Sequence, residues 1–466
     1  MYGSNSPLEG RTAAHRPRSE VSAQTTDNAA RLDPGRGSQA AKRGFAASPG
    51  PGVYSEVGKL RTVLVCRPGL AHRRLSPHIC RELKFEAPLW VERAQRDFAG
   101  FVDALTERGV EVLELHSLLV QILASAQARA FLLDRLLDPF VRYPGIADGV
   151  GSQLPNELRA ACENVDGSRL ADLLIGGATL ADLGLPSNGA LSLALALHPF
   201  VLPPLPHTLC MRESHSWVQH GMTLNRAGWR GPRSEALLVA AVYRFHPRFE
   251  SLPARIWWGE NPDATGTPCA CAEGGDIMPL GHGVVLIGTG VRTQAQAALQ
   301  IAHSLFEGGT AQNVIVAQMP RLRGGEALER VFTQCSPDVV TYRPDVVDRI
   351  SCQEMRPGTR GGAITLQARA GVHLLDVLSE ALDAPTLNAI ATGADADDEH
   401  AEAWDDGNGV LAVEPGVVIA FERNTRTNKR LRQAGVEVIE VPGDELARVG
   451  ATTHALCCPI ARDAVA

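Results

Sequence analysis

The chain of 466 residues is 44% apolar with a formal net charge of -7, long enough to bury one large core or two ordinary ones and too mildly charged to suggest a nucleic-acid partner. No run approaches the roughly 18 consecutive apolar residues that a membrane helix needs, so no membrane partner is expected either. Ten cysteines are scattered without a paired framework, and the closest groupings, Cys269-Ala-Cys271 and Cys457-Cys458, lack the gap and second half-site of a zinc ligand set; no metal or cofactor is expected, and the thiols read as reduced and cytoplasmic.

Residues 1 to about 50 are rich in Ser, Ala, Gly, Pro and Arg and cannot offset their ordering entropy by burial, so they read as a disordered tail. Its seven Lys/Arg against four Asp/Glu give a weak likeness to a transit peptide, without an apolar segment for secretion. From Val53 the pattern changes. Leu60 to Cys66 predicts a strand ended by Arg67-Pro68-Gly69, and Val91 to Leu105 places Ala94, Phe98, Phe101, Val102 and Leu105 on one helical face, with Gly109 as the stop. That glycine opens Gly109-Val-Glu-Val-Leu-Glu-Leu115, and the same phrase returns at Gly435-Val-Glu-Val-Ile-Glu-Val441 after a helix-like run from Asn428 to Ala434. Two copies of helix, glycine and alternating strand are a repeat signal.

Further strands are expected at Val284–Gly288, Val314–Gln318, Val339–Tyr342, His373–Val377 and Val417–Phe421, with a helix over Gln294–Phe306. Repeated strand and helix units make the class α/β. Residues 117–195 break the rhythm: Leu118 to Leu137, Asn156 to Ala161, Ser168 to Leu174 and Leu180 to Leu183 read as an all-helical insert between α/β segments 51–116 and 196–466, the kind of insert used as a lid or dimerisation surface.

Four stretches together resemble the arginine deiminase family: Leu89 to Gln95, Pro204 through Pro247, Glu273-Gly274-Gly275-Asp276 through Arg292, and Trp404-Asp405-Asp406-Gly407-Asn408 through Ile460. The resemblance implies a five-bladed propeller of ββαβ units, the pentein fold, with the site in the central channel. It also implies hydrolysis of L-arginine to L-citrulline and ammonia. Such chemistry needs carboxylates that match the N–H fork of a guanidinium, a thiolate for its central carbon, and an acid/base group that protonates ammonia and then activates water.

Matched position by position, the nucleophile of the family's His-Cys-Met-x-Cys-Pro-Ile run falls on Ala455 and the acid/base histidine of its His-Leu-Asp run on Ala327. The two guanidinium-binding aspartates become Glu213, in Cys210-Met211-Arg212-Glu213, and Glu329; each is longer by one methylene, and Cys210 replaces an aromatic wall. Glu273 is intact, and Gly274-Gly275 is expected to let backbone come close to a ligand. Arg292 matches a clamp on the substrate α-carboxylate; its companion arginines fall on Pro232, beside Arg233, and on Gly450, while an asparagine falls on His207.

The expectation is a catalytically inactive pentein serving as a ligand-binding, regulatory or structural subunit. A small guanidino or cationic ligand would meet Glu213, Glu273, Glu329, Arg292 and Arg233, and the chain would form a homo-oligomer or pair with an active paralogue. The alternatives are an active deiminase using a displaced thiol such as Cys457, with His215 a remote candidate base, or different chemistry on another guanidino or amidino compound through Glu273.

Overall fold

Alternation of apolar residues builds strands that pair in one recurring pattern. An antiparallel hairpin is followed by a helix, and the chain returns as a third strand parallel to the hairpin's second. His215–Val218, Gly221–Leu224 and Arg255–Trp258 form one such sheet, with the helix Ser234–Phe245 in the crossover. Ile277–Gly281, Val284–Thr289 and Asn313–Gln318 form the next, with Ala295–Glu307. Phe332–Ser336, Val339–Tyr342 and Asn388–Ala391 follow with Leu374–Ala381, then Leu411–Glu414, Val417–Phe421 and Glu437–Val441 with Thr425–Gln433. The fifth sheet joins the two ends of the chain: Cys457–Arg462 lies antiparallel to Leu60–Val65, Leu64 opposite Cys458, and Glu111–Glu114 returns parallel after Val91–Glu107. A further hairpin, Ser351–Pro357 and Ile364–Arg369, widens the second of these sheets.

This computed structural model describes residues 50–137, 154–186, 199–226, 234–250, 255–259, 270–322, 327–358, 363–384, 387–392 and 407–465. The expected tail up to residue 49, Pro232, Arg233, Cys269 and Trp404 to Asp406 lie outside them.

The two copies of the repeated phrase occupy the same place in their sheets. Gly109 and Gly435 both end a helix at φ of 76° and 86°, backbone that favours glycine, and each leads into a third, parallel strand. The first copy is shorter than expected: its strand stops at Glu114, and Leu115 opens a helix whose N-cap is that glutamate, accepting from the Ser117 N–H. One expected strand is a helix. His373–Val377 begins Leu374–Ala381, because Leu374, Val377 and Leu378 are buried at i, i+3 and i+4 and the His373 side chain caps the N–H of Leu375.

Within 117–195 the described elements are helices. The single run expected from Leu118 to Leu137 is two, Leu115–Ile122 and Ala126–Leu136, followed by Leu154–Asn164, Gly167–Gly176 and a 3₁₀ turn at Ala181–Leu183. Leu119, Leu132, Leu133 and Leu170 are fully buried together with Leu238 of the first sheet's crossover helix, which fastens these helices to that sheet. Truncating Leu119 to Ala is expected to cost about 2–5 kcal/mol, the transfer energy plus an unfilled cavity, read as a lowered urea midpoint at unchanged slope.

Candidate functional site

Because the pattern recurs, the segment entering each hairpin recurs too, and Glu213, Glu273, Glu329 and Ala455 sit on or beside these entries. Met211–Ser214 is a helical turn before His215–Val218, Gly274–Asp276 a 3₁₀ turn before Ile277–Gly281, and Leu328–Arg330 another before Phe332–Ser336; His454-Ala455 precedes Cys457–Arg462. Ala455 accepts from the Arg212 N–H at 3.2 Å, and Asp276 Oδ1 accepts from the Leu328 N–H at 2.8 Å, so the entries are tied to one another.

A continuous buried polar chain crosses this junction. Arg212 donates both terminal nitrogens to Glu56, at 2.9 and 3.2 Å; Glu56 Oε2 lies 3.1 Å from His454 Nε2; and His454 Nδ1 lies 2.7 Å from Glu329 Oε2. None of the four side chains is more than 3% exposed. Burial alone would raise the Glu56 carboxyl, but Arg212 and His454 reverse this and hold it far below the usual carboxylate range. Burial likewise opposes ionisation of Glu329, and the His454 hydrogen bond overcomes it, so this carboxyl too is held low.

Beside this chain lies a second cluster. Arg292 Nη1 donates to Glu273 Oε2 at 2.7 Å and stands 3.8 Å from Glu213 Oε1. Glu213 Oε2 is buried without a hydrogen-bond partner among the described residues. Burial, reinforced by the charges of Glu329 and Glu273, pushes the Glu213 carboxyl well above its ordinary value. Asp276 is lifted to about 7 by burial, partly offset by donors from the Thr293 hydroxyl and the Leu328 N–H.

Glu213, Glu273 and Arg292 come together, while Glu329 turns to His454. Arg292, expected to hold a substrate carboxylate, is paired with acids of its own chain. Gly274 and Gly275 do serve close approach, but the neighbours are protein: a Cβ on Gly274 would stand 1.9 Å from the Arg212 carbonyl oxygen, and one on Gly275 2.5 Å from the Glu329 carboxyl carbon. Gly450, where an arginine was missing, is reached by Arg330, whose Nη2 donates to the Gly450 carbonyl at 2.5 Å. His207 turns Nε2 to the Leu83 carbonyl at 3.0 Å.

Ala455 and Ala327 are each 2% exposed, leaving neither position open to solvent. Cys457 packs among Leu60, Val63, Val65 and Leu456, and Cys458 among the residues of the other core, its thiol donating to the His215 carbonyl at 3.2 Å. Burial pushes the Cys457 thiol up to about 12 and that of Cys458 higher. Cys210 is nearer the acids, and burial together with Glu213 and Glu329 raises its thiol as well. His215 is fully buried between the Ser214 and Tyr243 hydroxyls at 3.1 and 3.2 Å; burial and Arg212 lower it to about 3, which makes it a structural neutral imidazole.

Sequence reasoning missed Glu56 and gave His454 no role. The signal available was a lone acid, Glu56, set among the apolar and small residues of Val53 to Leu60, where its burial implies a buried partner. Among the described residues no group of three or more His, Cys, Asp and Glu side chains is arranged to hold a metal, and no helix is long and apolar enough to cross a membrane.

A family model described as arginine deiminase matches residues 81–462. An arginine deiminase of Rhodococcus erythropolis is 36% identical over 420 residues, covering 88% of this chain and 97% of that protein. Among solved structures, an amidinotransferase of the saxitoxin biosynthetic pathway from Microseira wollei aligns over 89% of this chain and 98% of its own at TM-score 0.52 and 11% identity, a likeness of fold.

The two clusters predict opposite pH responses. Glu213 is raised in the folded state, so its stabilising contribution is present below the unfolded value near 4.5 and lost as pH rises through the folded one. Glu213→Gln is therefore expected to raise the melting temperature by roughly 2 °C or more at pH 8, with the gain shrinking toward pH 5. Glu56 is depressed, so its contribution is present above 4.5 and lost as pH falls toward the folded value. Glu56→Ala strands the Arg212 guanidinium and should cost about 3–5 kcal/mol at pH 7 in a urea titration, and less in acid.

Proposed function

The chain belongs to the arginine deiminase family, and from that premise we propose that it is a catalytically silent member, a ligand-binding, regulatory or structural subunit that does not turn arginine over. The observation that carries this reading is the alanine at the position on which the family's nucleophile falls. The family reaction, L-arginine and water to L-citrulline and ammonia, requires a thiolate at the guanidinium carbon, and a reactive thiolate needs electropositive, partly open surroundings. Position 455 is alanine, Cys457 and Cys458 are packed in apolar cores, and burial, reinforced by Glu213 and Glu329, raises the Cys210 thiol.

Three further features support the proposal. Ala327 offers no proton acceptor where ammonia would depart. Glu273 is already occupied by the guanidinium of Arg292, with Glu213 close by. An external guanidinium would have to displace that internal one or settle against Glu213 alone. The lengthened Glu329 is held by His454, so it points its charge along the buried chain.

We further propose that the five sheets of shared ββαβ pattern close into the five-bladed ring of the pentein fold, with 51–116 and 196–466 forming the ring and 117–195 the helical insert. Domain limits, a cytoplasmic location, and assembly with itself or with an active paralogue belong to the same proposal.

The full chain incubated with L-arginine at neutral pH is expected to release no citrulline above the buffer blank, before or after Cys457→Ala. Citrulline formation abolished by Cys457→Ala would overturn the proposal in favour of the displaced-thiol alternative; formation that survives that substitution would overturn it in favour of chemistry led by Glu273. A melting temperature raised by arginine without consumption marks a ligand-binding subunit, whereas no shift marks a structural one.

A further inference from the structure

The strands that begin at the candidate site end elsewhere. Ile277–Gly281 leaves the Gly274–Asp276 turn and reaches the tight turn Gly281-His282-Gly283; Phe332–Ser336 leaves Glu329 and reaches Pro337-Asp338. Gln334 is the third residue of the strand that follows the Glu329 turn, so it lies along the strand and away from that turn. There a cleft of about 340 Å³ is lined by Val57, Leu280, His282, Gln334, Asp338 and Asp383, among others. Glu56 belongs to the buried polar chain, while Val57, the next residue, lines the cleft.

The lining has a chemical direction. Val57 and Leu280 are 1% and 3% exposed and supply apolar wall. Gln334 is 2% exposed, its Nε2 reaches only the Pro337 carbonyl at 3.5 Å, and its carbonyl oxygen has no donor among the described residues. A buried acceptor left without a donor costs on the order of 1–3 kcal/mol, so a donor brought to it is rewarded. Asp338 and Asp383 are exposed, and no Lys or Arg is among the lining residues. A buried acceptor, an apolar wall and two carboxylates select a ligand with an N–H donor at each end and methylenes between. An anion meets no partner on these walls other than the His282 ring and backbone N–H groups.

We infer that this cleft is a binding site for a small aliphatic diamine, one ammonium donating to the Gln334 carbonyl oxygen and the other lying among the Asp338 and Asp383 carboxylates. The site is separate from the Glu213–Glu273–Arg292 cluster, and the inference stands whether or not that cluster retains any activity.

The test uses the full chain and 1,4-diaminobutane, followed by titration calorimetry at low salt, with succinate and 1,4-butanediol as length-matched controls lacking the positive charge. Saturable one-to-one binding of the diamine is expected with a Kd on the order of 1 mM, appropriate to so few heavy atoms. Neither control should bind. Asp338→Asn with Asp383→Asn should weaken it roughly five- to tenfold, since each exposed charge pair is worth little alone. Both changes are at exposed positions, and asparagine tolerates the left-handed backbone of Asp383, φ 51°. Gln334→Leu should weaken it further, and Glu213→Gln should leave it unchanged. The inference is overturned if the diamine does not saturate, if succinate binds as well, if the double Asp substitution has no effect, or if Glu213→Gln abolishes binding and so places the diamine in the other pocket.

Discussion

The chain of contacts from Arg212 through Glu56 and His454 to Glu329 is the constraint on which the site depends. Its members come from four separate places in the sequence, and they meet only because three hairpin entries and the segment before Leu60 are brought side by side. Ions so deeply buried gain their attraction only when geometry and hydrogen bonding are nearly complete, since desolvation costs several kcal/mol each. Arg212 is fixed by two bonds to one carboxylate, and both ring nitrogens of His454 meet carboxylate oxygens, so the chain tolerates little displacement of any entry segment.

The same junction sets Glu213, Glu273 and Arg292 beside one another. Ala455 and Ala327 carry small apolar side chains that are buried, whereas Arg212 and His454 both hydrogen-bond the Glu56 carboxylate. Around them the charges are unevenly shared. Glu273 has Arg292, Glu329 has His454, and Glu213 has neither fully, so burial and the neighbouring acids push its carboxyl strongly toward the neutral form. An acid held neutral beside a resident guanidinium is a poor cradle for a second guanidinium.

Much of the fold was legible locally. The hairpins and crossover helices follow from period-two and period-3.6 patterns, and Gly109 and Gly435 announce the same turn at both ends of the chain. His373–Val377 misled because five residues with three apolar ones fit either period, and the choice fell to burial on one helical face. The site was legible as a set of positions: Glu213, Glu273 and Arg292 do gather. Their partners were not, because an arginine expected to meet a carboxylate from solution has acids of its own chain closer at hand.

The sequence by itself determined the class, the repeated unit and the alanine at position 455, since these rest on residue identity and on spacing between neighbours along the chain. Tertiary structure decided where each charge is spent: that Glu56 belongs with Arg212, that the two glycines admit protein atoms, and that Cys457 faces a hydrophobic core. The physical reason is range. Periodicity is a property of ten or so consecutive residues, whereas the state of a buried acid is set by whichever charges folding brings within a few ångströms, here from as far away in sequence as residues 56 and 454.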